Sequence, residues 1–273
     1  MAGSESRFEG KRVVVTGAGA LGPGLGNGRA AAVQYAREGA RLVLVDRDPE
    51  RIKDTVDEVR REGAECTTVI CDVSTPEGVE AYVSHAMDAL GGIDVLHCNV
   101  GIAADDTTTA MSMKRWRLVY RVNVESLMLA CQAVIPQMRA GGGGAIVNIS
   151  SIASIRSTGR PFPAYASSKA AANALIREVA IEGAPYGIRA NTVVVGYVDT
   201  PTVAAAYADR MDEWDDFVAQ RRRAIPRARQ GTGLDVARAA LFLASDQADF
   251  VTGTEVIVDG GMTRVSGGPL FEA

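Results

Sequence analysis

The chain has 273 residues, within reach of one large α/β domain, and 47% of them are hydrophobic, enough for a sizeable core. A formal net charge of −4 argues against a nucleic-acid partner, which would carry a basic patch. No apolar run reaches the length that crosses a bilayer, and the polar stretch from Met1 to Gly10 lacks the apolar middle of a signal peptide, so no membrane partner is expected and the cytoplasm is the expected location. Cys66, Cys71, Cys98 and Cys131 have no zinc spacing and read as reduced, buried thiols. The two histidines, His85 and His97, have no neighbours arranged as metal ligands, so no metal is expected.

The run Lys11 to Thr16 is β-branched and reads as a buried strand. A glycine-rich turn, Gly17 to Gly28, follows, and Arg29 to Glu38 reads as a helix closed by Gly39. Strand, glycine loop and helix in that order bring backbone N–H groups and a positive helix end up to a diphosphate. Arg41 to Asp46 is a second strand ending in an acid, eighteen residues after Gly28. An acid there accepts hydrogen bonds from ribose hydroxyls and repels a 2′-phosphate; its structural alternative is capping the next helix. Helical spacing over Glu50 to Glu62 leads to a third strand, Cys66 to Val73. Asp72 at its end either faces an adenine amino group or caps the helix beginning near Pro76. Val79 to Leu90 is helical, and Ile93 to Gly101 is a fourth strand running into a small-residue turn. This alternation predicts a parallel, doubly wound sheet with its ligand beyond the strand carboxyl ends.

In the second half, Ser112 to Arg139 is a long helical stretch with Asn123 inside it, an unfavourable residue for a helix interior. Ala145 to Ser151 is a fifth strand ending in two serines. Tyr165 to Gly183 is an alanine-rich helix, Ile188 to Gly196 a sixth strand, Leu234 to Ala244 a helix, and Thr254 to Gly261 a seventh strand and turn. On the helix that follows the fifth strand, Tyr165 and Lys169 lie one turn apart on one face. A free phenol has a pKa of about 10, too high for a base near neutrality, and an adjacent ammonium lowers it. Such a pair can carry a proton to or from an alcohol oxygen. Thr202 to Gln230 has no strand pattern; its acidic cluster and Arg221, Arg222 and Arg223 read as solvated helix faces, and its aromatic residues as pocket lining or helix anchors. A segment in that place can act as a lid over the site.

Taken together, these motifs resemble the short-chain dehydrogenase/reductase family over roughly residues 8 to 263. The resemblance is carried by the glycine turn after VVVT, Asp46, Asp72-Val73, CNVG at 98 to 101, Asn123, NISS at 148 to 151, YASSK at 165 to 169, VGYVDT at 195 to 200, and the terminal VDGG. It implies one Rossmann-like α/β domain over residues 1–273, a seven-stranded parallel sheet flanked by helices, with residues 200–230 as a lid segment. It implies a catalytic tetrad of Asn123, Ser151, Tyr165 and Lys169. Ser151 would hold the substrate oxygen and Tyr165 would act as base or acid. Lys169 would lower the tyrosine pKa and bind the nicotinamide ribose, and Asn123 would hold a water behind Lys169. Gly17, Gly26, Asn27, Gly28, Asp46, Asp72, Val73, Asn99, Gly101, Tyr165, Lys169, Val198 and Thr200 are the implied cofactor contacts.

Three departures from the family pattern stand out. Counting back from Gly39 matches the helix start to Gly26 and Gly28, which leaves the turn about five residues longer than usual, Pro23 included; pairing with Gly22 and Gly24 would lengthen the helix instead. Cys98 and Val100 replace the usual residues around Asn99 and Gly101, and Val195 replaces a proline before Gly196. Asp46 predicts NAD(H), although the adjacent Arg47 could grip a 2′-phosphate. The expected activity is hydride transfer between NAD(H) and a small secondary alcohol or ketone, in a homotetramer joined through the helices at 112–139 and 165–183. The alternatives are an NADPH-dependent 3-oxoacyl thioester reductase with Arg221 to Arg223 as a carrier-protein entrance, and a non-catalytic nucleotide-binding scaffold.

Overall fold

Strand β1 (Arg12–Thr16) buries valines on both faces: Val13 and Val15 enter one core cluster and Val14 the opposite one. A strand buried on both sides needs helices above and below its sheet. The computed structural model, which describes residues 6–22 and 24–265, has that architecture. The other strands of the main sheet are β2 (Arg41–Asp46), β3 (Cys66–Ile70), β4 (Val95–Cys98), β5 (Gly144–Ser151), β6 (Ile188–Val195) and β9 (Glu255–Val258). Their spatial order is β3-β2-β1-β4-β5-β6-β9, and every adjacent pair is parallel. The seven-stranded sheet expected from the sequence is therefore present. The pattern did not show β7 (Val198–Asp199) and β8 (Gly231–Thr232), which pair in a separate two-stranded sheet.

Helices α1 (Asn27–Arg37), α2 (Pro49–Arg61) and α9 (Gly233–Ala244) cover one face of the sheet, and α3 (Pro76–Leu90), α5 (Ser126–Ala140) and α6 (Pro163–Gly183) cover the other. Asp48 caps α2 by accepting from Glu50 N at 3.0 Å, and Thr75 caps α3 by accepting from Gly78 N at 3.1 Å. Asp46 and Asp72, the two acids with capping as an alternative role, cap neither helix. The chain runs outward from β1 to β2 and β3, then returns to place β4 on the other side of β1. That reversal opens a crevice at the carboxyl ends of β1 and β4, the usual ligand position in such sheets.

The long helical stretch is α4 (Met113–Tyr120), a π-helical turn at Arg121–Glu125, and α5. Contrary to the expectation that no apolar run reaches membrane length, Met113–Ala140 is long and apolar enough by length and composition alone, at 28 residues and a mean hydropathy of 1.3 in its most apolar window. In the fold, Leu127, Ala130, Cys131, Val134 and Met138 of this stretch pack into the core with α3 and α6. Between β7 and β8 the chain forms α7 (Pro201–Ala205), a 3-10 segment at Ala208–Glu213 and α8 (Trp214–Arg223). Here Tyr207 stacks on Phe217 with ring centroids 3.8 Å apart, and Trp214 sits against both.

Candidate active site

The glycine turn leaves β1 at Gly17, whose φ of +67° suits glycine, and the Gly17 carbonyl accepts a hydrogen bond from Asn99 Nδ2 at 2.9 Å. Gly26 is the N-cap of α1 and brings no side-chain cap, so N–H groups of the first helical turn remain for a ligand. This start agrees with pairing Gly26 and Gly28, not Gly22 and Gly24. A Cβ at Gly28 would collide with the Gly17 carbonyl oxygen, so the helix meets the strand end only with glycine there. The lengthened turn is tied down by side chains that the sequence reading passed over. Thr55 Oγ1 donates to Ala18 O at 2.9 Å. The buried Arg29 donates to Gly24 O at 3.0 Å and pairs with Asp54 at 2.6 Å. Pro23 lies outside the described residues.

At the end of β2, Asp46 Oδ2 accepts from Gly19 N at 2.9 Å and Oδ1 from Asp48 N at 3.1 Å. These bonds fix the carboxylate beside the glycine turn while each oxygen keeps a lone pair. Arg47 is exposed and makes no hydrogen bond or ion pair among the described residues. Asp72 Oδ1 accepts from Ser74 N at 2.9 Å and Ser74 Oγ at 2.7 Å. Burial pushes that carboxyl up, but the Ser74 bonds, helped by Arg121 and Arg47, hold it below the usual range. Val73 packs in the core beside it.

The opposite wall comes from β5 and α6. Pro163 opens α6 in the first-turn position where a missing N–H costs nothing, and Tyr165 and Lys169 follow one turn apart. Lys169 is only 4% exposed, and its Nζ donates to Ile149 O at 2.9 Å. Burial drags its pKa down to about 8. An ammonium has three hydrogens, and one protein acceptor leaves two for a ligand. Burial also raises the Tyr165 phenol, and the Ser151 hydroxyl pulls it back.

Asn123 sits in the π turn, where its Oδ1 accepts from Ile102 N at 2.8 Å. Its Nδ2 donates to Ile102 O and to Ser168 Oγ, both at 2.9 Å. The side chain thus clamps the loop leaving β4 against α6, one residue from Lys169. Both amide hydrogens are spent, so only the second lone pair of Oδ1 is left for a water.

One cleft joins Gly26, Asn27, Gly28, Asn99, Gly101, Ser151, Tyr165, Lys169, Val198 and Thr200. Gly17 and Asn123 stand behind its wall as supports. Asp46 adjoins it through Gly19, whereas Asp72 and Val73 lie outside its lining. The cleft also takes in Gly196, Thr202, Val203 and Arg221, none of them among the expected site residues, although the last three lie in the expected lid segment. Arg221 corrects the reading of three solvated arginines: Arg222 and Arg223 are exposed, but Arg221 is buried. Phe217 lies one turn before it on α8, but Tyr197 is too far away in sequence for local spacing to have signalled that contact.

These residues fit a nicotinamide dinucleotide: an uncapped helix N-terminus behind a glycine floor, an acid at the end of β2, and a buried ammonium with unused donors. A family profile described as Enoyl-(Acyl carrier protein) reductase matches residues 24–263. The chain is 36% identical over 265 residues to 3beta-hydroxysteroid dehydrogenase 1 of Eggerthella lenta, covering 95% of this chain and 96% of that protein. It is 32% identical over 259 residues to cyclohexanol dehydrogenase of an Acinetobacter species, covering 94% and 97%. The crystal structure of a short-chain dehydrogenase/reductase from Burkholderia xenovorans superposes with a TM-score of 0.92 at 42% identity, covering 95% of this chain and 99% of that one. The chain belongs to the short-chain dehydrogenase/reductase family. It is accordingly an oxidoreductase that works with a nicotinamide cofactor.

Proposed function

We propose that the protein interconverts a secondary alcohol and its ketone with NAD(H), using Tyr165 as the proton carrier. The observation that carries this reading is the meeting of Ser151, Tyr165 and Lys169 in one cleft with the glycine turn. The names of the Eggerthella and Acinetobacter relatives, a hydroxysteroid and a cyclohexanol dehydrogenase, support a cyclic secondary alcohol as the substrate class.

When bound, the nicotinamide supplies or accepts the hydride. The chain's own residues do the rest. Ser151 Oγ donates a hydrogen bond to the substrate oxygen and holds it beside the phenol. Tyr165 takes the proton from that oxygen in oxidation and returns it in reduction. Lys169 uses the two donors that Ile149 leaves free to bind ribose hydroxyls. Those acceptors help the ammonium keep its proton against burial, and its charge then favours the phenolate. Asn123 acts from behind, holding the loop of Ile102 in register with α6. Asp46 receives the adenosine ribose hydroxyls, and its charge opposes a 2′-phosphate, which favours NAD(H) over NADP(H). Asp72 serves the adenine end.

The 200–230 segment closes over this site as a lid. The exposed Met128 on α5 and Ile181 on α6, 48% and 71% accessible, support a homotetramer joined through those helices; the protein is read as a single cytoplasmic domain. A carrier-protein thioester as substrate is disfavoured, because burial of Arg221 reduces the basic entrance to Arg222 and Arg223. The test is an absorbance assay at matched NAD and NADP concentrations across a panel of cyclic secondary alcohols. Turnover favouring NAD is the expected result; a preference for NADP would overturn the reading of Asp46.

A further inference from the structure

Among the described residues two arginines are almost fully buried, and they are satisfied very differently. Arg29, 3% exposed, lies in α1 away from the cleft lining and is surrounded by acceptors. It has Asp54 at 2.6 Å, Glu58 at 4.0 Å, Thr55 Oγ1 at 3.3 Å and Gly24 O at 3.0 Å. That is how a guanidinium is buried for structure: its charge is paired and its fork is filled.

Arg221, 8% exposed in the last turn of α8, has one hydrogen bond among the described residues, from Nη2 to Val198 O at 3.2 Å. Its Nε is buried with no hydrogen-bond partner among the described residues. No carboxylate forms an ion pair with it among the described residues. Asp199 acts on its charge from beyond ion-pair distance, and the guanidinium carbon lies 4.6 Å from the Tyr197 ring centroid and 5.2 Å from that of Phe217. Rings hold the plane of the fork but accept few of its hydrogens. An arginine stays charged, so this burial is costly unless an anion arrives. The side chain lines the same cleft as Ser151, Tyr165 and Lys169.

We propose that Arg221 is the seat for a carboxylate on the substrate, so that the natural substrate is a secondary alcohol or ketone that also carries an acid group. This deepens the dehydrogenase reading and rests on it. The cofactor diphosphate is the other anion the cleft would hold, but it already has the open N-terminus of α1 and the glycine turn. Arg221 stands instead against Tyr197, whose hydroxyl reaches Thr158 O at 3.4 Å, in the loop that joins Ser151 to Tyr165. Its fork thus shares a wall with the loop that brings the serine and the phenol together.

The test compares 3-hydroxycyclohexanecarboxylate with its methyl ester in the intact enzyme, in wild type, Arg221→Gln and Arg221→Lys. Wild type should favour the acid at least tenfold in kcat/KM, mainly through KM. Arg221→Gln should abolish that ratio and Arg221→Lys keep part of it. The proposal is overturned if wild type shows no preference for the acid, or if Arg221→Gln slows acid and ester equally, as a mere prop for the Val198 loop would. It is also overturned if the main effect is a tenfold weaker Kd for NADH in a fluorescence titration, which would assign the fork to the diphosphate. A second measurement separates this idea from the dehydrogenase reading when neither alcohol turns over: the thermal shift of the NAD-loaded enzyme with cyclohexanecarboxylate against cyclohexanecarboxamide. A shift from the carboxylate alone, lost in Arg221→Gln, upholds the seat; equal or absent shifts reject it.

Discussion

Two of the cleft's walls are built on different principles. The wall from β1 to β4 presents backbone: an uncapped helix end, glycines where a Cβ has no room, and carbonyls pinned by Asn99 and Thr55. The segment from Tyr197 to Arg223 presents side chains instead, with Tyr207 stacked on Phe217, Trp214 against both, and an arginine carried on short helices. A backbone wall recognises what every nicotinamide dinucleotide shares, so few substitutions are tolerated there. A side-chain wall can be altered residue by residue and is where discrimination between substrates belongs.

The largest effect expected lies between the walls. Tyr165→Phe should lower turnover by about 10²- to 10⁴-fold, the range for loss of a positioned acid or base. NADH affinity by fluorescence titration should change only a few-fold; undiminished turnover would remove the phenol from the chemistry. Next comes the rigidity of the backbone wall. His97 is buried in β4 beneath α1, edge-on to Tyr35 with ring centroids 5.9 Å apart, and burial alone drags its pKa from 6.5 to about 4. Between those values the unfolded chain binds a proton that the folded chain refuses. Stability is therefore full above pH 6.5 and falls as pH drops toward 4, by on the order of 3 kcal/mol. Urea titrations at pH 7 and pH 4.5 would measure that slope, and His97→Leu should flatten it.

A smaller shift tests what the backbone wall adds by charge. Asp46→Ser should move the NADP to NAD ratio of kcat/KM by about 10- to 100-fold toward NADP, equivalent to roughly 1.4 to 2.8 kcal/mol. An unchanged ratio would mean that the acid serves only Gly19 and Asp48. The smallest expected change tests the lengthened turn. Thr55→Val removes the bond to Ala18 O and should cost about 1 kcal/mol of stability, with a few-fold rise in KM for NAD. A larger rise in KM would show that the turn depends on side chains as much as the opposite wall does.

How much of this was legible in the sequence follows the same division. The sheet was readable because β-branched runs such as Val13 to Val15 and Val193 to Val195 have no plausible use except burial. The start of α1 was found by counting back from Gly39, since helix length and glycine position constrain each other. The long-range contacts were not legible. Arg221 reads as one of three consecutive charged residues; Phe217 one turn earlier is its single local mark, and Tyr197 is reached only through the fold. Arg29 sits in an alanine-rich helix whose partners, Asp54 and Glu58, belong to another helix. β7 and β8 are two residues each, too short for any alternation to register. Asn123 stood out as ill-suited to a helix interior, but a π turn leaves no compositional mark.

That turn sets the phase of everything after it. An α-helix advances about 100° per residue, so a bond spanning five residues instead of four, as from Ser126 N to Arg121 O, slips the face of α5 by one position relative to α4. Deleting a single residue from 121–125 would restore regular winding and swing Leu127, Ala130, Val134 and Met138 off the sheet together. A defect in one turn is thus what lets a 28-residue rod present its apolar stripe to the core and still point one amide at the loop beside Lys169.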